Sequence, residues 1–297
     1  MLVALPLLAS ALHQPFWVNA ATRILIYALV AVSLDLIVGY GGMVSFGHAA
    51  YFAAGGYTVA ILAQHGIGAA LVTWPAAVLV SAALAAAVGA LSLRTSGIFF
   101  IMITLAFAQM VFFALIAVKQ WGGNDGLPLD ARGVLPGVDL RDPGVLYFVC
   151  LALLVAFVAV AAQLVESRFG IVLRGARRSE RRLLALGFPV FRYRLVAFVV
   201  AGAGAGLAGA LWAEYSRFVS PDMAVWSRSG EFLVMVILGG IGTLAGAVYG
   251  AAVLLGLESL LSGFTEHWML PLGAILLVIV LFAKRGLYGW LAGDADG

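Results

Sequence analysis

Long apolar stretches alternate with short polar joints along this chain. No charged residue occurs in 69–92, 97–118, 143–165, 195–213 or 232–257, and about 20 apolar residues suffice to cross a bilayer. Shorter or interrupted apolar runs cover 2–12, 24–34, 36–64 and 268–283. The pattern predicts eight to ten membrane segments, some of them glycine-broken or re-entrant. In hydrocarbon the backbone must satisfy its own hydrogen bonds, so spans are helices or closed barrels, and continuous runs of this kind are not barrel strands. The expected fold class is all-α, a polytopic integral membrane protein forming one transmembrane domain over 1–297.

Residues 2–8 followed by Ala9-Ser10-Ala11 have the outline of a signal peptide. No Lys or Arg precedes the apolar run, so a first membrane segment is the expectation. Glycine interrupts the pattern in two ways. Gly242, Gly246 and Gly250, and likewise Gly202, Gly206 and Gly209, make small-residue faces that let helices pack closely. Gly39-Tyr40-Gly41-Gly42 and Gly239-Gly240-Ile241-Gly242 are clusters that break a helix, and broken helices are where transporters hold substrate. A faint repeat links the two clusters. At a spacing of 198 residues, Gly41, Gly42, Ser45 and Tyr51 match Gly239, Gly240, Thr243 and Tyr249.

Composition and charge sharpen this picture. The chain is 64% hydrophobic and 10% charged, against about half and a quarter in soluble domains. Of 17 Lys and Arg, eight lie in 166–194, which the positive-inside rule makes a cytoplasmic loop. Counting spans outward from it places 119–142 and 214–231 outside, and Lys284-Arg285, with the C-terminus, inside. Arg23 then falls outside, a mild misfit. Arg174, Arg177, Arg178, Arg181 and Arg182 share one face if 170–187 is a single helix, which Gly187 can stop. That basic stripe suits either a docking surface or anionic lipid headgroups.

Several chemistries are missing. Both lysines, Lys119 and Lys284, stand outside any phosphate-binding loop, and the four histidines form no zinc motif. No nucleophile elbow is present, and the lone Cys150 has no partner for an internal disulfide. No cofactor, metal, catalytic or nucleic-acid site is expected. The polar residues left within apolar segments are the candidates for a pathway: Asp35, Ser45, His48 and Thr243, beside the breaks at Gly41, Gly42, Gly239, Gly240 and Gly242. Thr104, Gln109 and Glu258 are further polar positions there.

The run from Leu34-Asp35 through Gly39-Tyr40-Gly41-Gly42 to Ser45-Phe46-Gly47-His48 resembles the opening signature of a known family. That family is the inner-membrane permeases of branched-chain amino-acid ABC transporters, in its LivM-like branch. Ser96-Gly97-Ile98, Gly122-Gly123-Asn124-Asp125-Gly126, Ser167-Arg168-Phe169-Gly170 and Gly239-Gly240-Ile241-Gly242-Thr243 are similar to its later blocks. The chain departs from the common pattern at Asp35, where many relatives carry Asn, and at Arg168, where Pro is common.

The resemblance implies a transport subunit, not an enzyme, in the bacterial inner membrane. Its partners would be a sister permease, two cytoplasmic ATP-binding subunits and a periplasmic substrate-binding protein. It also implies that 166–194 is the segment coupling to the ATPases, through Gly170, Arg174, Arg177, Arg178, Glu180, Arg181 and Gly187. Leucine, isoleucine and valine are the first substrates to expect, with urea, amides or aromatic acids as alternatives. An ion-coupled secondary transporter using Asp35 and a membrane scaffold without solute flux stay open.

Overall fold

The computed structural model describes residues 15–129, 132–135, 139–264, 267 and 269–282. The apolar run at 2–12 and the Lys284-Arg285 pair lie outside them. Among the described residues the chain forms eleven α-helices. Helix α1 (Pro15–Asp35) runs on through a π-helical turn (Leu36–Tyr40) to the first glycine break, and α2 (His48–Gln64) follows. Then come α3 (Ala70–Ser92), α4 (Ile98–Ala117), α5 (Pro143–Glu166), α6 (Arg168–Arg178) and α7 (Glu180–Ala185). Helices α8 (Val190–Ser216), α9 (Trp226–Gly239), α10 (Leu244–Ser262) and α11 (Met269–Phe282) complete the order.

Among the described residues, six helices are long and apolar enough to cross a membrane: α1 with its π turn, α3, α4, α5, α8 and α10. Helices α2, α9 and α11 are shorter, at 17, 14 and 14 residues. The runs 36–64 and 232–257 each read as one apolar stretch in the sequence, yet each is cut by its glycine cluster. The fold is therefore an all-α, multi-pass membrane architecture with six candidate full-length spans among the described residues.

Helix α1 is the axis of the bundle. Its residues Ile26, Ala28, Leu29, Val30, Ala31 and Val32 are fully buried, and it packs against α5, α8, α9 and α10. Glycine makes the tightest approaches possible. A Cβ on Gly209 of α8 would collide with the Phe52 carbonyl of α2, and one on Gly55 of α2 with the Gly206 carbonyl. On the other side of α8, Gly202 lies against Ala85 and Gly206 against Ser81, both on α3. Between α9 and α10, Gly250 meets the Met235 carbonyl and Gly239 the Gly246 carbonyl. Such backbone-to-backbone packing gains dispersion where lipid supplies no hydrophobic drive.

The connections gather into two faces. On one, the 119–142 loop folds over the end of α8. Strand β1 (Leu127–Pro128) pairs antiparallel with β2 (Phe218–Val219), Leu127 opposite Val219. Glu214 accepts the Gly133 N–H at 2.7 Å, and Arg132 donates to the carbonyls of Glu214, Leu140 and Arg141. The opposite face carries the arginines of α6 and α7. Here the sequence expectation needs correction: 170–187 is two helices and not one. The break falls at Ser179, whose backbone is extended (φ −162°, ψ 97°). Turning there lets Glu180 reach Arg194 of α8 at 2.7 Å and lays Leu183 against Gly175. Gly187, at φ +82°, ends α7 in the left-handed conformation that glycine adopts freely.

Candidate functional site

The two glycine breaks, 198 residues apart in the sequence, meet in space. A Cβ on Gly39 would lie 2.5 Å from Gly242 N and 2.6 Å from Gly242 Cα, so only glycine allows this approach. Asp35 is fully buried one turn above and accepts the Gly242 N–H at 2.7 Å. Gly242 and Gly240 hold positive φ, at 85° and 117°. Thr243 closes the second break by donating its hydroxyl to the Gly240 carbonyl at 2.6 Å. Each break leaves backbone groups without helical partners, and side chains from the opposite segment or the same turn satisfy them.

Arginine completes the junction. Arg177, on α6, donates from Nη1 to the Gly39 carbonyl. Its side chain also lies under Gly42, where a Cβ would stand 2.8 Å from Arg177 Cγ. Gly42 has φ +68° and needs glycine on backbone grounds too. Around this contact is a cleft of about 450 Å³ lined by Arg174, Arg177 and Arg178 with Gly39, Tyr40, Ile241 and Gly242. The junction thus joins α1, the 240–243 turn and the arginine helix α6.

Other sequence candidates sit elsewhere. Ser45 and His48 serve the turn between the first break and α2. Ser45 Oγ accepts the Gly47 N–H at 3.2 Å, and Phe46 N–H donates to Thr104 at 3.2 Å. His48 Nε2 bonds Ser33 Oγ at 2.9 Å, and the Ser33 hydroxyl donates to the Val30 carbonyl. With that proton committed, His48 acts as the donor from Nε2. Gly41 is pressed between the Ile37 carbonyl and Met43, and Gly170 packs on the Val165 carbonyl. Glu180 and Gly187 shape α7, while Arg181 is exposed on it. The structure gathers Asp35, Gly42, Gly242, Arg174, Arg177 and Arg178, and leaves Ser45, His48, Arg181 and Gly187 apart.

Sequence reasoning singled out Gly41 and Gly42 at the first break, but Gly39 makes the contact. Its spacing from Asp35 at i+4, on one helix face, was the available signal. Arg194 as the partner of Glu180 had no signal short of the fold.

A family model described as the permease component of branched-chain amino acid transport systems matches residues 16–283. The chain belongs to this family. The high-affinity branched-chain amino acid transport system permease protein LivM of Salmonella typhimurium is 30% identical over 316 residues, covering 96% of this chain and 74% of that protein. LivM of Escherichia coli matches equally, at 30% over the same shares. The permease protein LivH of Escherichia coli is 24% identical over 296 residues, covering 94% of this chain and 95% of its own length. No solved structure matches. This permease is a membrane transport subunit and not an enzyme.

Proposed function

We propose that this permease is one of two related membrane subunits of an ATP-driven importer that carries branched-chain amino acids from periplasm to cytoplasm. The observation that carries this reading is the Arg177 contact. A basic surface helix with no phosphate-binding chemistry of its own is fastened to the point where two broken helices meet. Such a contact suits a subunit that receives motion from outside and passes it to its pathway helices. In this reading the arginine-rich face is cytoplasmic and docks an ATP-binding subunit through Arg174, Arg177, Arg178, Glu180 and Arg181. The face bearing 119–142 is periplasmic and meets the substrate-binding protein. The membrane is the bacterial inner membrane, and 1–297 is one permease domain.

The short helices α2, α9 and α11 are membrane segments that do not cross fully, which brings the total to nine or more. The pathway runs beside Asp35, Gly41, Gly42, Ser45, His48, Gly239, Gly240, Gly242 and Thr243. ATP binding closes the partner ATPases, α6 moves with them, and the glycine junction alternates access.

Reversing Arg174, Arg178 and Arg181 together to Glu is expected to abolish ATP-coupled uptake in proteoliposomes while insertion stays normal. Unchanged uptake would sink the docking role. One observation favours a second reading: a carboxylate, Asp35, buried at the junction could couple ions in a secondary transporter. Asp35→Asn keeps the oxygen that accepts the Gly242 N–H. An ATP-driven permease should retain uptake in that variant, and an ion-coupled one should lose it.

A further inference from the structure

The cleft at the glycine junction holds more positive charge than the chain itself neutralises. Arg174, Arg177 and Arg178 stand at i, i+3 and i+4 on α6, so they share one face of that helix. All three line the cleft, and its other lining residues, Gly39, Tyr40, Ile241 and Gly242, bring no carboxylate. Among the described residues Arg174 and Arg178 have neither an ion pair nor a hydrogen bond. Glu180, the acid nearest to them in sequence, is engaged by Arg194. Three guanidinium groups around one space repel each other, and an anion placed among them removes that cost.

Arg177 differs from its neighbours in being fixed at two points. Its stem is packed under Gly42, where a Cβ would stand 2.8 Å from Cγ, and Nη1 donates to the Gly39 carbonyl. A guanidinium carries five N–H groups, so this donation leaves its other edge able to take a carboxylate through two parallel bonds. The position of the cleft says where the anion comes from. It lies at the end of α1, whose Leu34, Leu36 and Ile37 are fully buried, and not along the helices that present Leu79, Phe99 and Val155 outward. A lipid headgroup approaches from that outward-facing perimeter, whereas a docked protein approaches the end of the bundle axis.

We propose that this cleft is a socket for a carboxylate side chain, Asp or Glu, of the ATP-binding subunit docked on α6. Arg174 and Arg178 draw the acid in. Arg177 joins it to the Gly39 carbonyl and, through Gly39, to the contact with Gly242 and Asp35. A shift of the acid then pulls directly on the junction between α1 and the 240–243 turn. The inference rests on the importer reading above and names the contact through which its docking works.

The chain has two lysines, Lys119 and Lys284, and none on α6 or α7. Arg174→Lys and Arg178→Lys therefore place a reactive amine at the cleft while keeping its charge. A carbodiimide activates a carboxylate, and a lysine amine in contact with it displaces the resulting urea and leaves an amide bond. The assembled importer in lipid nanodiscs is treated with a water-soluble carbodiimide and read by peptide mass spectrometry. At least one variant is expected to gain an amide link between its new lysine and an Asp or Glu of the ATP-binding subunit. Absence of that link from both variants in complexes that co-purify intact, or a link only to the permease's own Glu166 or Glu180, would overturn the socket. Uptake that then rises with phosphatidylglycerol content in wild type, but not in Arg174→Gln, would assign the cleft to a lipid headgroup. For the relay, Arg177→Gln is expected to lower the substrate carried per ATP hydrolysed at least fivefold, and Arg177→Lys to restore part of it. An unchanged ratio in assembled complexes would overturn the relay. Uptake by the wild-type importer with its binding protein is measured alongside, and failure to import any amino acid on ATP would overturn the importer reading instead.

Discussion

The packing of this permease is decided by single hydrogen atoms. At Gly209 a methyl group would run into the Phe52 carbonyl, while at Gly256 it would meet nothing within 4 Å. Gly209→Ala is therefore expected to lower thermal stability in detergent by about 1–3 kcal/mol through overpacking. Gly256→Ala should be neutral or raise stability by up to about 1 kcal/mol, since alanine favours the helix interior. Equal melting points for the two variants would contradict the tight α2–α8 crossing. Asp35 follows the same logic with a polar group. Asp35→Ala leaves the Gly242 N–H without its acceptor, a loss of about 1–3 kcal/mol, whereas Asp35→Asn preserves the bond. Thermal melting of the two variants, side by side, checks the role of the carboxylate oxygen.

At the scale of elements, the sequence was most informative where a pattern was long and local. Uninterrupted apolar runs marked α3, α4 and α5 to within a residue or two, because each run had to be as long as the bilayer is thick. The glycine clusters marked both breaks, since local backbone preference alone stops a helix there. The division of α6 from α7 was not visible, because nothing in Arg178-Ser179-Glu180 opposes a continuous helix. It depends on Arg194, which α8 brings up from 14 residues further on. That dependence is testable. Glu180→Gln weakens the bond to Arg194, a pair that is 43% exposed on the glutamate side and 16% on the arginine side. A loss of about 1 kcal/mol is expected for so partly wetted a pair. Amide hydrogen exchange should rise over 180–187 and stay unchanged in α5. Uniform exchange across both would argue that α7 is held by other contacts.

For the whole molecule, the legible part was the class of fold. The meeting of Gly39 with Gly242 was not legible, because nothing local in either break names its partner. The 198-residue echo hinted at kinship between them but not at contact. The partner of Arg23 was hidden in the same way: Glu258, distant in sequence, pairs with it. Orientation can be read from added thiols, because the chain has a single one of its own. Cys150 is buried, so cysteines placed at the exposed Val134 and Leu184 report separately from it. In intact cells a membrane-impermeant maleimide is expected to label Val134→Cys and spare Leu184→Cys. The reverse pattern would invert the topology.

The contacts between α1 and α10 have a mechanical consequence. These helices are pinned together twice, by Asp35 and Gly39 against Gly242 at one end and by Arg23 against Glu258 toward the other. Two fastenings resist swivelling between them, so a push delivered where Arg177 grips would tilt both together, as a lever with that spot as its fulcrum. From Phe16 to Tyr40 that lever has 25 residues, about 37 Å at 1.5 Å per residue. A rotation of about 10° at the fulcrum sweeps the far tip through about 6 Å, roughly the width of a leucine side chain.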